Sequence, residues 1–109
     1  MANQTVICTY RVRADAETEF RGMLRRHWPT LHELGFVTGE PSVIYRELGA
    51  PPTYVEIFTW AEGGYEHARE HPAVLAIWAP MDPLLESRGG LPKWDFPHYE
   101  RVALGSDGA

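Results

Sequence analysis

The chain has 109 residues, a formal net charge of -5 and 44% hydrophobic residues, which suits one globular domain with a modest core. The negative charge argues against nucleic acid or an anionic membrane as partner, since both bind through basic surfaces. Cys8 is the only cysteine, so an intramolecular disulfide is excluded and a reducing compartment is indicated. The sequence has neither an apolar run of the ~18 residues that a membrane helix needs nor a signal-peptide pattern. We therefore expect a cytoplasmic protein.

The first two predicted elements are a strand and a helix. β-branched and aromatic residues at 5–12 (TVICTYRV) predict a buried strand. Asp15 is the expected N-cap of the helix that follows. Its apolar stripe recurs at spacings of four and three, at Phe20, Leu24, His27, Leu31 and Leu34. Pro29 predicts a kink or restart at Trp28-Pro29, and Gly35 predicts a left-handed end to the helix.

Two strands then form a predicted hairpin, at 42–48 and 53–60, across the breaker-rich turn GAPP. In the second of them (TYVEIFTW), Val55, Ile57 and Thr59 share one face. The opposite face carries Tyr54, Glu56, Phe58 and Trp60. Because both faces are bulky, we expect helices to cover one and a second subunit to cover the other.

The remaining segment is predicted as a broken helix and a last strand. Helical pieces at 62–70 and from Pro72 onward are expected to break at Pro80 and Pro83. A strand at 93–102 places Trp94, Phe96 and His98 on one face, and Pro97 restricts it to a sheet edge or a bulge. Residues 103–109 are expected to be a flexible tail.

The order βαββαβ predicts the ferredoxin-like α+β fold. We expect a single domain at 1–102, with a four-stranded antiparallel sheet and both helices on one face.

Three histidines are candidate site residues. His27 interrupts an apolar helix stripe; it is either bonded to a carbonyl that Pro29 frees or the acid or base of a pocket. His71 precedes the Pro72 break, where it either satisfies free helix carbonyls or points into the space between helix and sheet. His67 and His71 could share a metal ion on a continuous helix, but a third ligand is missing and we expect no metal site.

Aromatic residues beside the proline breaks predict a pocket for a flat apolar ligand. Its expected lining is Trp28, Trp60, Trp78, Met81 and Phe96. Glu56 is expected to pair with Arg11 or Arg46, the alternative being a pocket acid. Cys8 is expected to be buried and inert.

With these elements, the chain resembles the dimeric α+β barrel superfamily, and within it the antibiotic-biosynthesis-monooxygenase-like domains. The resemblance covers about residues 5–102 and rests on the YRV strand, the DAETEF helix start, the VEIFTW strand and the EHPAVLAIW helix. It implies a homodimer whose sheets face each other, with a cleft between sheet and helices in each subunit. Members include cofactor-free monooxygenases of quinols and phenols, haem-degrading enzymes and proteins without known activity.

The haem-degrading branch has an Asn on the first strand and a Trp and a His on the second helix. Here Thr9 and Tyr10 occupy the strand, and His67, His71 and Trp78 have a different spacing, which argues against haem degradation.

The leading hypothesis is therefore a homodimer that binds a small, flat aromatic metabolite and oxygenates a phenol or quinol without a cofactor. His71 is the expected base, His27 the alternate, and Tyr10 the donor to a substrate oxygen. The alternatives are a non-catalytic ligand-binding or stress-associated dimer and a lyase or isomerase of the same superfamily.

Overall fold

The computed structural model describes residues 4–105, and its elements follow the predicted order. The first half contains strand β1 (Gln4–Arg11), helix α1 (Glu17–Glu33) and the hairpin strands β2 (Val43–Arg46) and β3 (Thr53–Trp60). The second half contains helices α2 (Gly64–Ala68) and α3 (Pro72–Met81) and a short 3₁₀ turn (Asp82–Leu84). Strands β4 (Trp94–Asp95) and β5 (His98–Tyr99) end the fold. The predicted tail begins within the described residues at 103–105, which are exposed and irregular, whereas residues 106–109 lie outside them.

Strand β1 lies at the centre of an antiparallel sheet of order β2-β3-β1-β4, with β5 also paired to β1. It pairs with β3 along its whole length, from Gln4 opposite Trp60 to Arg11 opposite Thr53. The ferredoxin-like antiparallel fold is thus confirmed, but with five strands rather than four. The predicted last strand divides at Phe96-Pro97, since a proline cannot donate to the ladder. The Pro97 carbonyl still accepts a bond from the Ile7 amide, 3.2 Å away, which keeps both halves on β1.

The two faces of the sheet differ in burial. The inner face is buried under α1 and α3, and it carries Val6, Cys8 and Tyr10 from β1 and Tyr54, Glu56, Phe58 and Trp60 from β3. Both long helices therefore lie on one side, as predicted. The outer face is half-exposed and is formed by Thr5, Ile7, Thr9, Val43, Tyr45, Val55, Ile57 and Thr59.

Helix α1 differs from the prediction at two places. The residue that precedes it is Ala16, and Asp15 pairs with Arg13 at 2.8 Å instead of capping the helix. The helix also continues through Pro29 to Glu33, without a restart. Pro29 is exposed, so solvent can replace the donor that proline lacks. The predicted left-handed end is confirmed at Gly35, whose φ is +81°.

Prolines divide the second helical segment into α2, α3 and the 3₁₀ turn, mostly as predicted. Pro72 opens α3, where a missing N–H costs nothing, and Pro83 lies in the 3₁₀ turn. Pro80, however, is accommodated inside α3. At the first residue of α2, a Cβ on Gly64 would lie 1.9 Å from the Phe36 carbonyl oxygen, so only glycine fits there. None of the described helices has the length and apolar composition required to cross a bilayer.

Candidate functional site

A cleft of about 260 Å³ lies between the inner face of the sheet and the helices. Strands β1 and β3 form its floor, His27 of α1 borders it, and Trp78 and Met81 of α3 form one wall. The last segment closes the opposite side with Trp94, Phe96 and His98. Aromatic and aliphatic side chains dominate this lining, which is the composition of a site for a small apolar ligand.

A buried polar cluster borders the cleft where α1 crosses β3. The buried cluster consists of Tyr10, His27 and Glu56, which are 3%, 2% and 0% exposed. Tyr10 donates its hydroxyl to Glu56 Oε1 at 2.8 Å, and His27 Nδ1 lies 2.9 Å from the same oxygen. Glu56 Oε2 is buried and has no hydrogen-bond partner among the described residues. A carboxylate thus anchors the imidazole from behind, since Tyr10 and His27 line the cleft and Glu56 does not.

The second nitrogen of His27 fixes the state of the ring. The indole Nε1–H of Trp78 donates to His27 Nε2 at 2.8 Å. Because an indole nitrogen is only a donor, Nε2 carries no proton. The ring proton is therefore on Nδ1, where it is donated to Glu56. His27 is a neutral imidazole whose acceptor nitrogen is on the cleft side.

The electrostatics of the cleft favour uncharged groups. Burial first, and then the charge of Glu56, raise the pKa of Tyr10 well above its ordinary value. The same two causes, in the same order, raise the pKa of Cys8, which therefore stays a thiol. Among the described residues that line the cleft there is no lysine or arginine. Asp82 is the acidic one, and it pairs with Lys93 at 3.1 Å.

The far end of the cleft is aromatic and holds a free donor. Phe58 lies between the two ends, with ring centroids 5.7 Å from His27 and 5.0 Å from Trp60. Trp60 is 4% exposed, and its Nε1–H is buried without a hydrogen-bond partner among the described residues. Tyr65 and His98 pack edge to face at 4.7 Å beside it.

The structure brings together six of the eight predicted site residues, namely Tyr10, His27, Trp60, Trp78, Met81 and Phe96. It does not place His71 or Trp28 in this cleft. His71 caps α3 by accepting a bond from the Ala73 amide at its Nδ1, 3.1 Å away, and its ring packs on Phe36. Trp28 does not line the cleft, and it stacks on His32 with ring centroids 4.6 Å apart.

For His27 the structure excludes one of the two alternatives, the bond to a helix carbonyl, and for Glu56 the expected pairing is wrong. His27 bonds Glu56 and Trp78 rather than a helix carbonyl, because α1 presents it to the sheet. Glu56 pairs with neither expected arginine: Arg11 bonds Asp95 at 3.0 Å, and Arg46 bonds Glu17.

The other histidine of the metal hypothesis, His67, is exposed and stacks on Phe36. A cluster of three or more His, Cys, Asp or Glu side chains that could hold a metal is not found within residues 4–105.

Sequence reasoning missed the link between His27 and Glu56, which are 29 positions apart. Two signals were available: a histidine on an apolar helix stripe, and a glutamate on the bulky face of a strand. Each marks a buried polar group that needs a partner. Tyr65 also borders the cleft, and no sequence pattern singled it out.

Comparison of the sequence with protein-family models and with curated proteins gives no match. Solved structures do share the fold. SnoaB, a cofactor-independent oxygenase from Streptomyces nogalater, superposes with a TM-score of 0.72 at 16% identity, over 94% of this chain and 96% of that one. Rv0793 from Mycobacterium tuberculosis gives 0.73 at 14% identity, over 94% and 97%. An antibiotic biosynthesis monooxygenase gives 0.74 at 9% identity, over 92% and 99%.

The chain therefore has the fold of the antibiotic-biosynthesis-monooxygenase-like superfamily, as its sequence resemblance predicted. In this chain, the fold holds an apolar cleft at whose wall a buried glutamate orients a neutral histidine.

Proposed function

We propose that the protein is a cytoplasmic, homodimeric monooxygenase that oxidises a flat phenol or quinol without a cofactor. The observation that carries this proposal is the His27–Glu56 pair at the wall of an apolar cleft. An imidazole held by a carboxylate at one nitrogen has its other nitrogen in the acceptor state that a general base needs. The fold shared with SnoaB, a cofactor-independent oxygenase, supports the same class of reaction.

In this mechanism the protein removes one proton and leaves the redox chemistry to the substrate. His27 Nε2 takes the hydroxyl proton of the bound phenol or quinol, and Glu56 stabilises the imidazolium that forms. The electron-rich substrate anion then reduces dioxygen. The substrate loses two hydrogens, one from the hydroxyl that His27 deprotonates and one from a ring carbon. That carbon gains one oxygen atom as a carbonyl, and the second oxygen atom leaves with the two hydrogens as water. The apolar lining strengthens the His27–Glu56 interaction and keeps bulk water from the anion.

The other residues of the cleft bind and orient the substrate. Tyr10 donates to the same Glu56 oxygen as His27, which makes it a positioning residue for the base. The free Nε1–H of Trp60 is suited to a carbonyl or hydroxyl oxygen at the far end of the ring system. Trp78, Met81 and Phe96 contact the faces and edges of the ring. His71 and Trp28 have no part in this mechanism.

The homodimer is proposed through the outer face of the sheet. Val43 and Tyr45 on that face are 48% and 59% exposed, and Ile7, Val55 and Ile57 beside them are half-exposed. A surface of this kind is typical of a face that another protein covers.

Light scattering at micromolar concentration should give twice the mass of one chain. Ile57→Glu, in the middle of that face, should give a monomer, whereas Leu48→Glu in the β2–β3 turn should not. A monomer for the unmodified chain would remove this part of the proposal.

The test of the reaction is tryptophan fluorescence with a panel of quinols and polycyclic phenols, with oxygen uptake followed in the same samples. His27→Gln should lower uptake by about 10²- to 10⁴-fold, the contribution of one general base. His32→Gln, a histidine outside the cleft, is the matched control and should retain the activity. His71→Asn keeps an acceptor for the helix cap and decides between the two histidines.

The outcomes separate the alternatives. Quenching without oxygen uptake would favour a non-catalytic binding or stress-associated dimer, and turnover without uptake would favour a lyase or isomerase. A loss of uptake in His71→Asn but not in His27→Gln would contradict the mechanism.

A further inference from the structure

We infer that a ligand hydroxyl replaces the Trp78 indole at His27 Nε2, so that only an uncharged ligand with a hydroxyl donor displaces the indole from the base. This inference rests on the proposed function and adds the chemical group by which the substrate is selected. It concerns one hydrogen bond, the 2.8 Å contact between Trp78 Nε1 and His27 Nε2.

The acceptor nitrogen of the proposed base is occupied before any ligand arrives. Neutral imidazole accepts at one nitrogen only, and in His27 that nitrogen is Nε2. As long as the indole donates to it, Nε2 cannot take a proton from a substrate. The reaction therefore requires an exchange in which the indole leaves and a substrate O–H takes its place.

Burial determines which of the two rings moves. His27 is 2% exposed, is held by Glu56 from behind and meets Phe58 edge to face at 5.7 Å. Trp78 is only half-buried and lies on the last turns of α3. Rotation of a half-buried side chain towards solvent costs less than displacement of a packed and paired one. Trp78 is therefore the ring that turns aside.

The exchange selects the chemistry of the ligand. A hydroxyl donor restores the bond that the indole gives up, so the exchange is nearly neutral in energy. A methyl ether of the same shape cannot donate and would leave His27 Nε2 buried without a partner. A carboxylate has no lysine or arginine among the described lining residues to receive it, and it would meet the acceptor side of His27.

The direct test follows the four indole Nε1–H resonances of the ¹⁵N-labelled protein with naphthol, its methyl ether and naphthoate as probes. The resonance missing from Trp78→Phe identifies Trp78. Naphthol should move that resonance to the position of an indole that no longer donates to His27. The methyl ether should leave it in place, and naphthoate should not bind. Naphthol binding with an unchanged Trp78 resonance would overturn the inference.

Affinities give a second, independent readout. In Trp78→Phe the naphthol no longer competes with an indole, so its affinity relative to the methyl ether should rise by about 3- to 10-fold, the worth of one neutral hydrogen bond. The ratio cancels any loss of ring contact that both ligands share. Trp28→Phe, which removes an indole outside the cleft, is the matched control and should leave the ratio unchanged. An unchanged or lower ratio in Trp78→Phe would contradict the exchange.

The same experiment separates this inference from the function on which it rests. If naphthol, its ether and the larger quinols all fail to bind, the proposed function fails. If the phenols bind and are oxidised while Trp78 still donates to His27, only the exchange is wrong.

Discussion

Helix α1 and strand β3 meet at two polar clusters with opposite character. The buried cluster consists of Tyr10, His27 and Glu56. Its His27 and Glu56 side chains are 3% and 0% exposed. The rim cluster consists of Glu17, Arg21, Arg46 and Tyr54, and its Glu17 and Arg46 side chains are 27% and 32% exposed. There Tyr54 donates to Glu17 and accepts from Arg21, both at 2.5 Å.

The difference teaches what each cluster can do. Full charges at the rim are partly solvated and screened, so they contribute little to stability. The buried cluster avoids a fixed positive charge by using a neutral imidazole and a phenol as donors. Such a cluster is costly to disrupt and is able to accept a proton during a reaction, which is why we assign the chemistry to it.

The largest effect should come from removal of the acceptor in each cluster. Glu56→Ala leaves the Tyr10 hydroxyl and the His27 Nδ1–H buried without an acceptor. The free energy of unfolding should fall by about 2–5 kcal/mol, the cost of two unsatisfied donors plus a small cavity. Glu17→Ala should cost less, since water can solvate the half-buried Arg46 and the Tyr54 hydroxyl keeps its bond from Arg21. Urea unfolding of both variants measures this contrast, and equal losses would refute it.

The fold was more predictable than this contrast because the two depend on different signals. Period-two burial in β3 and the four-and-three spacing of Phe20, Leu24 and Leu31 are local patterns, and they determined the elements and their order. The partner of Glu56 depends on how far along the strand α1 crosses. That registry is set by packing across the whole interface, so Arg46 was an equally reasonable partner from the sequence.

The division of the last strand and the placement of His71 show the same limit. Pro97 predicted an edge or a bulge, and the structure has a break whose length the sequence did not determine. The sequence favours His71 as a pocket residue because it precedes a helix break. A histidine before Pro72 can equally cap the new helix, and the choice depends on the direction of its side chain.

The next effect is the change in folding stability at alkaline pH, to which Tyr10 contributes. Burial and Glu56 raise the pKa of Tyr10 in the folded protein above its ordinary value of 10.0. A folded-state pKa above the unfolded one means that the unfolded chain loses this proton first. The stability that Tyr10 contributes is complete below pH 10 and is lost progressively as the pH rises above it.

Tyr10→Phe tests whether the buried phenol is the source of the loss of stability at alkaline pH. The substitution should lower stability at neutral pH by about 1 kcal/mol, the net worth of one buried hydrogen bond. It should also flatten the fall in stability above pH 10. Tyr54→Phe removes a buried hydroxyl that bonds Glu17 and Arg21 instead of Glu56, and it is the matched control. If Tyr10→Phe retained the full alkaline slope of the wild type, the buried phenol would not be its source.

The smallest effect concerns the acid limb and belongs to the rim. Hydrogen bonds from Arg46 and then from Tyr54 lower the pKa of Glu17 from 4.5 to about 2. A folded-state pKa below the unfolded one gives a contribution that is present above pH 4.5 and disappears as the pH falls towards 2. The difference in stability between the wild type and Glu17→Gln should shrink over that window. It should also shrink when salt is added at neutral pH, because the cluster is exposed. Urea titrations of both proteins from pH 5 to pH 2 measure it, and a difference that grew on acidification would reverse the assignment of charge at the rim.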